Sequence, residues 1–255
     1  MRFTGLGAVV TGGGQGIGAA VARALAAEGA AVVVAARTSE RIAAVATEIE
    51  RAGGPSKAWA VPCDVTDPAS VRALAAAATK ALKVVDILIN NAGVGHSAPL
   101  HKITLEDWNH VLAVNATGTF LCTQAFVPGM LERKRGSVVN VASVAGLVGA
   151  RYIAAYSAAK HAVIGFTRSV AAELEGTGVT CNAVCPGFVD TGMTRESVAR
   201  VVAKTGKSAE EALAALLTSS AQRRLISPEE VAEAVLALCD PRGERTNGTA
   251  VTIAG

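Results

Sequence analysis

Tyr156 and Lys160 stand four residues apart in a stretch whose composition predicts a helix. That spacing sets both side chains on one helix face, as neighbours. A phenol titrates near pH ~10 and is a poor base at neutral pH. A nearby ammonium favours the phenolate and lowers that value. The pair therefore has the chemistry to give a proton to a developing alkoxide, or to take one from an alcohol. Ser143 lies just past a β-branched run, where ligands meet a parallel sheet, and its hydroxyl suits a substrate carbonyl oxygen. Alone, a Tyr and a Lys at this spacing are an ordinary helix face. They become a candidate site beside Ser143 and the loop that follows.

Thr11-Gly-Gly-Gly-Gln-Gly-Ile-Gly18 joins an apolar run to a helical pattern. Glycine lets the backbone adopt φ > 0 and approach a ligand closely. A helix starting at such a loop offers free N–H groups and a positive dipole end to a pyrophosphate. Gly12, Gly14, Gln15, Gly16, Ile17 and Gly18 are therefore expected around the phosphates of a dinucleotide. A second apolar run ends in Ala36-Arg37-Thr38. An acid at this place would bind the 2′-hydroxyl of NAD, whereas an Arg pairs with a 2′-phosphate. Arg37, with Thr38 adding a hydroxyl, favours NADP(H) and leaves NAD(H) possible.

The elements that must hold these residues alternate along the whole chain. Strands are expected over 8–11, 31–36, 57–63, 85–90, 136–142, 179–184 and 249–253. Helices are expected over 16–29, 39–52, 67–80, 156–175 and 227–239, the second closed by Gly53 and Gly54. Thr104-Leu-Glu-Asp107 reads as a capping box opening a helix that runs past Asn115, with another continuing to Arg133. An amide is a poor helix former, so Asn115 stands out in mid-helix. Each parallel crossover needs a helix, so the alternation predicts a single α/β domain over residues 1–255. Its sheet is a doubly wound, Rossmann-type parallel sheet with helices on both faces. Residues 190–226 break the alternation; long, helical and amphipathic, they are expected to form a lid.

The motifs together resemble the short-chain dehydrogenases/reductases over nearly the whole chain. The loop Gly12-x-x-x-Gly16-x-Gly18, the Asn90-Asn-Ala-Gly93 stretch and Pro186-Gly187 carry the resemblance, as do Asn115, Ser143, Tyr156 and Lys160. It implies that these last four form a catalytic tetrad. Asn115 would support a helix kink and a proton path to Lys160, which would also hold the nicotinamide ribose. It further implies cofactor contacts from Asp64 and Val65 to adenine, from Asn91, Ala92 and Gly93, from Tyr156, and from Pro186, Gly187, Val189 and Thr191. Many reductases of the family carry a base inside the glycine loop, where this chain has Gln15. Residues 154–161 and 182–187 look closest to 3-oxoacyl thioester reductases and polyketide ketoreductases. The reaction expected is reduction of a ketone to a secondary alcohol by NADPH, with an acyl thioester or other small molecule as substrate. Two alternatives are an NAD-dependent dehydrogenase of a secondary alcohol or 3-hydroxyacyl-coenzyme A, and a non-enzymatic binding member. The resemblance also implies a homotetramer or homodimer, although the end Ile253-Ala-Gly255 departs from the family.

Several further residues are candidates for the substrate. The resemblance implies bases on two outer helices where the partner is an acidic carrier protein; Lys134 and Arg135 match one, or simply favour a helix C-terminus, and Ala172 stands at the other. Met193, Leu213, Leu216 and Leu217 suit an apolar wall in the lid or plain core packing, and Tyr152 a pocket wall; His96 and His101 suit a pocket lining or, more simply, an exposed surface. Lys204, Lys207, Arg223 and Arg224 suit a coenzyme A phosphate or a solvated face. With 24 Lys and Arg against 21 Asp and Glu, the chain lacks the basic excess of a nucleic-acid protein. Five cysteines without paired spacing read as buried thiols, and the histidines show no metal spacing. No signal peptide precedes the first strand, and no apolar run approaches the roughly 20 residues of a membrane helix, so no membrane partner and a cytoplasmic location are expected.

Overall fold

The computed structural model describes residues 1–52, 56–243 and 246–255. The expected closing glycines of the second helix, Gly53 and Gly54, lie outside the described residues. Seven strands form one sheet: β1 (Gly7–Thr11), β2 (Ala31–Ala36), β3 (Ala58–Pro62), β4 (Ile87–Asn90), β5 (Gly136–Val141), β6 (Val179–Pro186) and β7 (Ala250–Ile253). All pairings are parallel, in the order β3-β2-β1-β4-β5-β6-β7. The chain builds outward from β1 in one direction, then returns to build outward from β4 in the other. The carboxyl ends of β1 and β4 therefore flank a crevice where the crossovers diverge.

Helices α1 (Gly16–Ala27), α2 (Ser39–Arg51), α3 (Pro68–Leu82), α4 (Leu105–Leu112), α5 (Gly118–Glu132), α6 (Ala154–Glu173), α7 (Gly192–Thr205), α8 (Ala209–Ser219) and α9 (Pro228–Cys239) complete the chain. Side chains alternate across the sheet and define two cores. Val10, Val34, Ile89 and Val139 face α1, α2 and α9, meeting Leu25, Ile42 and Leu236. Val9, Val33, Leu88 and Val138 face α3, α5 and α6, meeting Leu74, Phe126, Met130 and Leu174. Both faces are covered, which is why the central strands read as unbroken apolar runs.

The helix starts follow their expected chemistry. Asp67 caps α3 with Pro68 in its first turn, and Thr104 and Asp107 form the capping box of α4. Between α4 and α5 the backbone widens to a π-turn over Ala113–Thr117, with Asn115 inside it. Leu105–Glu132 thereby becomes one helical stretch of 28 residues, long and apolar enough by composition to cross a membrane. This departs from the expectation of no such run, because two shorter helices are continuous in space. Its buried side chains, among them Val114, Cys122, Phe126 and Met130, pack in the core beside the sheet, as a core helix does. All five cysteines are buried and free, and no metal-binding cluster occurs among the described residues.

Candidate active site

A cavity of about 1140 Å³ opens at the carboxyl ends of the strands. Its lining runs from the glycine loop past Arg37 and Asp64, across Asn91 to Gly93, to Ser143, Tyr156 and Lys160, and on to Pro186 and Thr191. Of the catalytic and cofactor-binding candidates from the sequence, all but Gly18 meet there, although they are spread over most of the chain.

The phosphate end is built by close backbone approach. Gly12 and Gly16 have φ of 63° and 53°, which other residues adopt rarely. Gln15 precedes α1 without capping it by its side chain, so the first-turn N–H groups remain available. Gly18 is the exception among the loop residues: it does not line the cavity. A Cβ there would sit 2.4 Å from both Asn91 Nδ2 and Gly12 O, so it is glycine for packing. Asn91 fixes the loop, its amide donating to the carbonyls of Thr11 and Gly12 at 3.0 and 3.1 Å.

Arg37 and Thr38 reach the cavity from the end of β2. Hydrogen bonds from the Thr66 backbone and hydroxyl hold the Asp64 carboxyl below the usual carboxylate range, with Arg37 adding to the effect. A second arginine, Arg41 on α2, lines the same end and donates to the Gln15 side chain. Sequence reasoning missed it. The signal was its place one turn after Arg37-Thr38, in the first turn of a helix that starts at the cavity. Arg41 thus brings a second basic side chain to the end of the cavity where Arg37 lies.

The chemical end lies where β4, β5 and β6 finish. Ser143 follows β5; its hydroxyl accepts from Ala145 N at 3.1 Å and donates to Pro186 O at 3.4 Å. Lys160 is only 5% exposed, and its ammonium donates to Val141 O at 2.8 Å. Its Nζ lies 5.7 Å from the Tyr156 ring centroid. Asn115 is tied to the loop after β4: its amide donates to Val94 O and accepts from Val94 N. It also donates to Val111 O, one of the carbonyls that the π-turn frees. Gly93 lies against both groups, since a Cβ there would fall 2.7 Å from Asn115 Oδ1 and 3.7 Å from Lys160 Nζ.

The electrostatics correct one expectation. Burial pushes the Tyr156 phenol above its ordinary value, and hydrogen bonding with Ser143 draws it only partly back. Burial pulls Lys160 down to about 8. The Lys160 ammonium turns one N–H to Val141 O and lies 5.7 Å from the phenol ring centroid, and desolvation outweighs the pairing. At neutral pH the phenol is accordingly a protonated donor.

The substrate side divides the other candidates. Met193, Leu216, Tyr152, His96 and Lys204 line the cavity; His101, Leu213, Leu217, Lys207, Arg223 and Arg224 do not. Arg224 instead pairs with Glu230 at 2.6 Å. Lys134 and Arg135 precede β5, whereas the site follows it, which puts them about 20 Å away, at the opposite end of the strands. Arg135 is occupied there by Asp86 at 3.5 Å. Gln222 was not foreseen. Buried beside Gly187, it accepts from Phe188 N at 2.6 Å and donates to Phe188 O at 3.2 Å, which pins the loop after β6.

Residues 7–201 match the family model described as short chain dehydrogenase. The chain belongs to the short-chain dehydrogenase family. As a short-chain dehydrogenase it is a nicotinamide-dependent oxidoreductase, and its relatives support reduction of a ketone. It is 36% identical over 255 residues to 3-oxoacyl-acyl-carrier-protein reductase of Vibrio cholerae serotype O1, covering 100% of this chain and 98% of that one. It is 40% identical over 237 residues to a protein of Xanthobacter autotrophicus named inactive 2-(S)-hydroxypropyl-CoM dehydrogenase 2, covering 92% of this chain and 98% of that one. Among solved structures, a single-substitution variant of actinorhodin polyketide ketoreductase with NADPH superposes with a TM-score of 0.92 at 36% identity, over 100% of this chain and 97% of that one.

Proposed function

We propose that this short-chain dehydrogenase uses NADPH to reduce a 3-oxoacyl thioester to the 3-hydroxy compound. The observation that carries the reading is one continuous cavity with two arginines and no acid at the end of β2, and Tyr156, Lys160 and Ser143 at its other end. The residues present fit a dinucleotide. Gly14 lies so close to α2 that a Cβ would stand 3.0 Å from Arg41 Cβ, and the uncapped start of α1 suits a pyrophosphate. Arg37 and Arg41 suit a 2′-phosphate, Asp64 and Val65 the adenine, and Asn91, Ala92 and Gly93 the adjacent ribose. Pro186, Gly187, Val189 and Thr191 suit the nicotinamide half. When bound, the nicotinamide supplies the hydride. Ser143 orients the carbonyl by donating to its oxygen, and Tyr156 gives that oxygen its proton. Lys160 holds the ribose and, while protonated, stabilises the charge left on Tyr156. Asn115 keeps the π-turn and the loop after β4 in place around Lys160. Helices α7 and α8 act as a lid on the substrate side.

We further propose a homo-oligomer, a tetramer or dimer, formed over the exposed apolar side chains Leu105, Phe120 and Leu131. Loss of reduced-nicotinamide absorbance with acetoacetyl-coenzyme A, followed with NADPH and NADH in parallel, tests the reading. Faster loss with NADPH supports it. Equal rates favour an NAD-using dehydrogenase, and no loss with either removes the thioester as substrate.

A further inference from the structure

Helix α7 turns one face to the cavity. Met193, Ser197, Arg200, Val201 and Lys204 all line it, at the spacing of a single helical stripe. Met193 marks the chemical end, because its side chain would meet a Cβ on Gly95 at 3.4 Å, two residues beyond Gly93. Arg200 stands about 10 Å further along the axis. One nitrogen of its guanidinium donates to Ser197 Oγ at 2.9 Å. Its Nε is shielded from solvent and has no acceptor. A charged donor left buried without a partner is costly, and such sites persist where a ligand supplies the acceptor. Lys204 and Arg151 line the same cavity. Among the described residues, none of the three cations is in an ion pair. Among those residues the cavity's one lining carboxylate is Asp64, at the glycine-loop end, and Thr66 already engages it.

We infer that Arg200, with Lys204 and Arg151, forms an anion subsite for a substrate whose phosphate or carboxylate lies roughly 10 Å from its reacting ketone. The inference rests on the reductase reading for the ketone, but the anion subsite is measurable without turnover. A guanidinium suits both anions through paired N–H donors, and Lys204 adds charge without that geometry. The apolar surface of Met193 and Val201 suits the chain between ketone and anion.

The experiment uses enzyme saturated with NADP+, so that the nucleotide end is filled and no ketone is reduced during the titration. Calorimetry compares 7-oxooctyl phosphate with neutral 8-hydroxyoctan-2-one, and 9-oxodecanoate with its methyl ester. The first pair reports a phosphate handle and the second a carboxylate handle. At least one anionic member should bind roughly tenfold or more tightly than its neutral partner. Arg200→Gln should remove most of that difference, and Arg200→Lys should restore only part of it. Lys204→Gln, at an exposed position, should reduce it without endangering the fold. No preference for either anion, or a preference unchanged in Arg200→Gln and Lys204→Gln, overturns the subsite. NADPH oxidation with the methyl ester is followed separately. If no ketone is reduced while the Arg200-dependent preference persists, the reductase reading fails and the subsite stands.

Discussion

At Tyr156 and Lys160, burial works against both charged forms. The phenol stays protonated, and the ammonium is held to about 8. Reduction needs the proton on Tyr156 and the charge on Lys160. The kcat/KM for reduction is therefore expected to fall as pH rises through about 8. A flat profile from pH 7 to pH ~9 would contradict this role for Lys160. The same shift makes a stability prediction. The native state gives up the Lys160 proton near pH 8, the unfolded chain near 10.5, so stability attributable to this group rises with pH across that window. Relative to Lys160→Met, the wild type should gain about 3 kcal/mol between those limits, read from urea unfolding at each pH. At the cofactor's far end, Arg37→Ala and Arg41→Ala should each weaken NADPH roughly tenfold or more while leaving NADH nearly unchanged. Equal losses for both cofactors would place neither arginine on a 2′-phosphate. Tyr156, Lys160, Ser143 and Arg37 were legible as cavity residues because type and spacing carried them, and Asn115 was legible through the family's motifs. Arg41 and Arg200 were not, because a surface arginine and a cavity arginine look alike until the helix they stand on is placed.

At the scale of the element, the glycine loop combines two duties that its sequence does not separate. Gly12, Gly14 and Gly16 shape the cavity, whereas Gly18 makes room for Asn91 and the Gly12 carbonyl. Gly18→Ala should therefore destabilise the fold by about 1–3 kcal/mol, seen as a lowered Tm with the cofactor absent. An unchanged Tm would show that the loop can shift at little cost. Helix α5 shows the reverse case. Asn115 was readable as a poor helix former in mid-helix, but the π-turn that joins α4 to α5 there was not. That turn depends on Asn115 bonding to Val94, a contact between residues 21 positions apart. Gln222 was hidden for the same reason. Its two bonds to Phe188 span 34 positions, and no local pattern signals them.

Across the whole molecule, the alternation of apolar runs and helices was enough to read the sheet, because each buried parallel strand must be followed by a crossover. The strand order put the divergence between β1 and β4, and the cavity lies there. What the alternation did not reveal was the distance between surfaces. Lys134 and Arg135 read as partners of an acyl carrier, yet they sit beyond the opposite end of β5 from Ser143. Light scattering at micromolar concentration should give the mass of a dimer or tetramer of the 25.7 kDa chain, and a monomer would contradict the proposed assembly. The most direct test of the whole account compares NADPH oxidation by the wild type and Tyr156→Phe on one 3-oxoacyl thioester, with NADPH affinity measured alongside. Turnover should fall by about 10²–10⁴-fold while NADPH affinity stays within about twofold, since only the phenolic proton is removed. Turnover close to that of the wild type would contradict the assignment of Tyr156 as the proton donor.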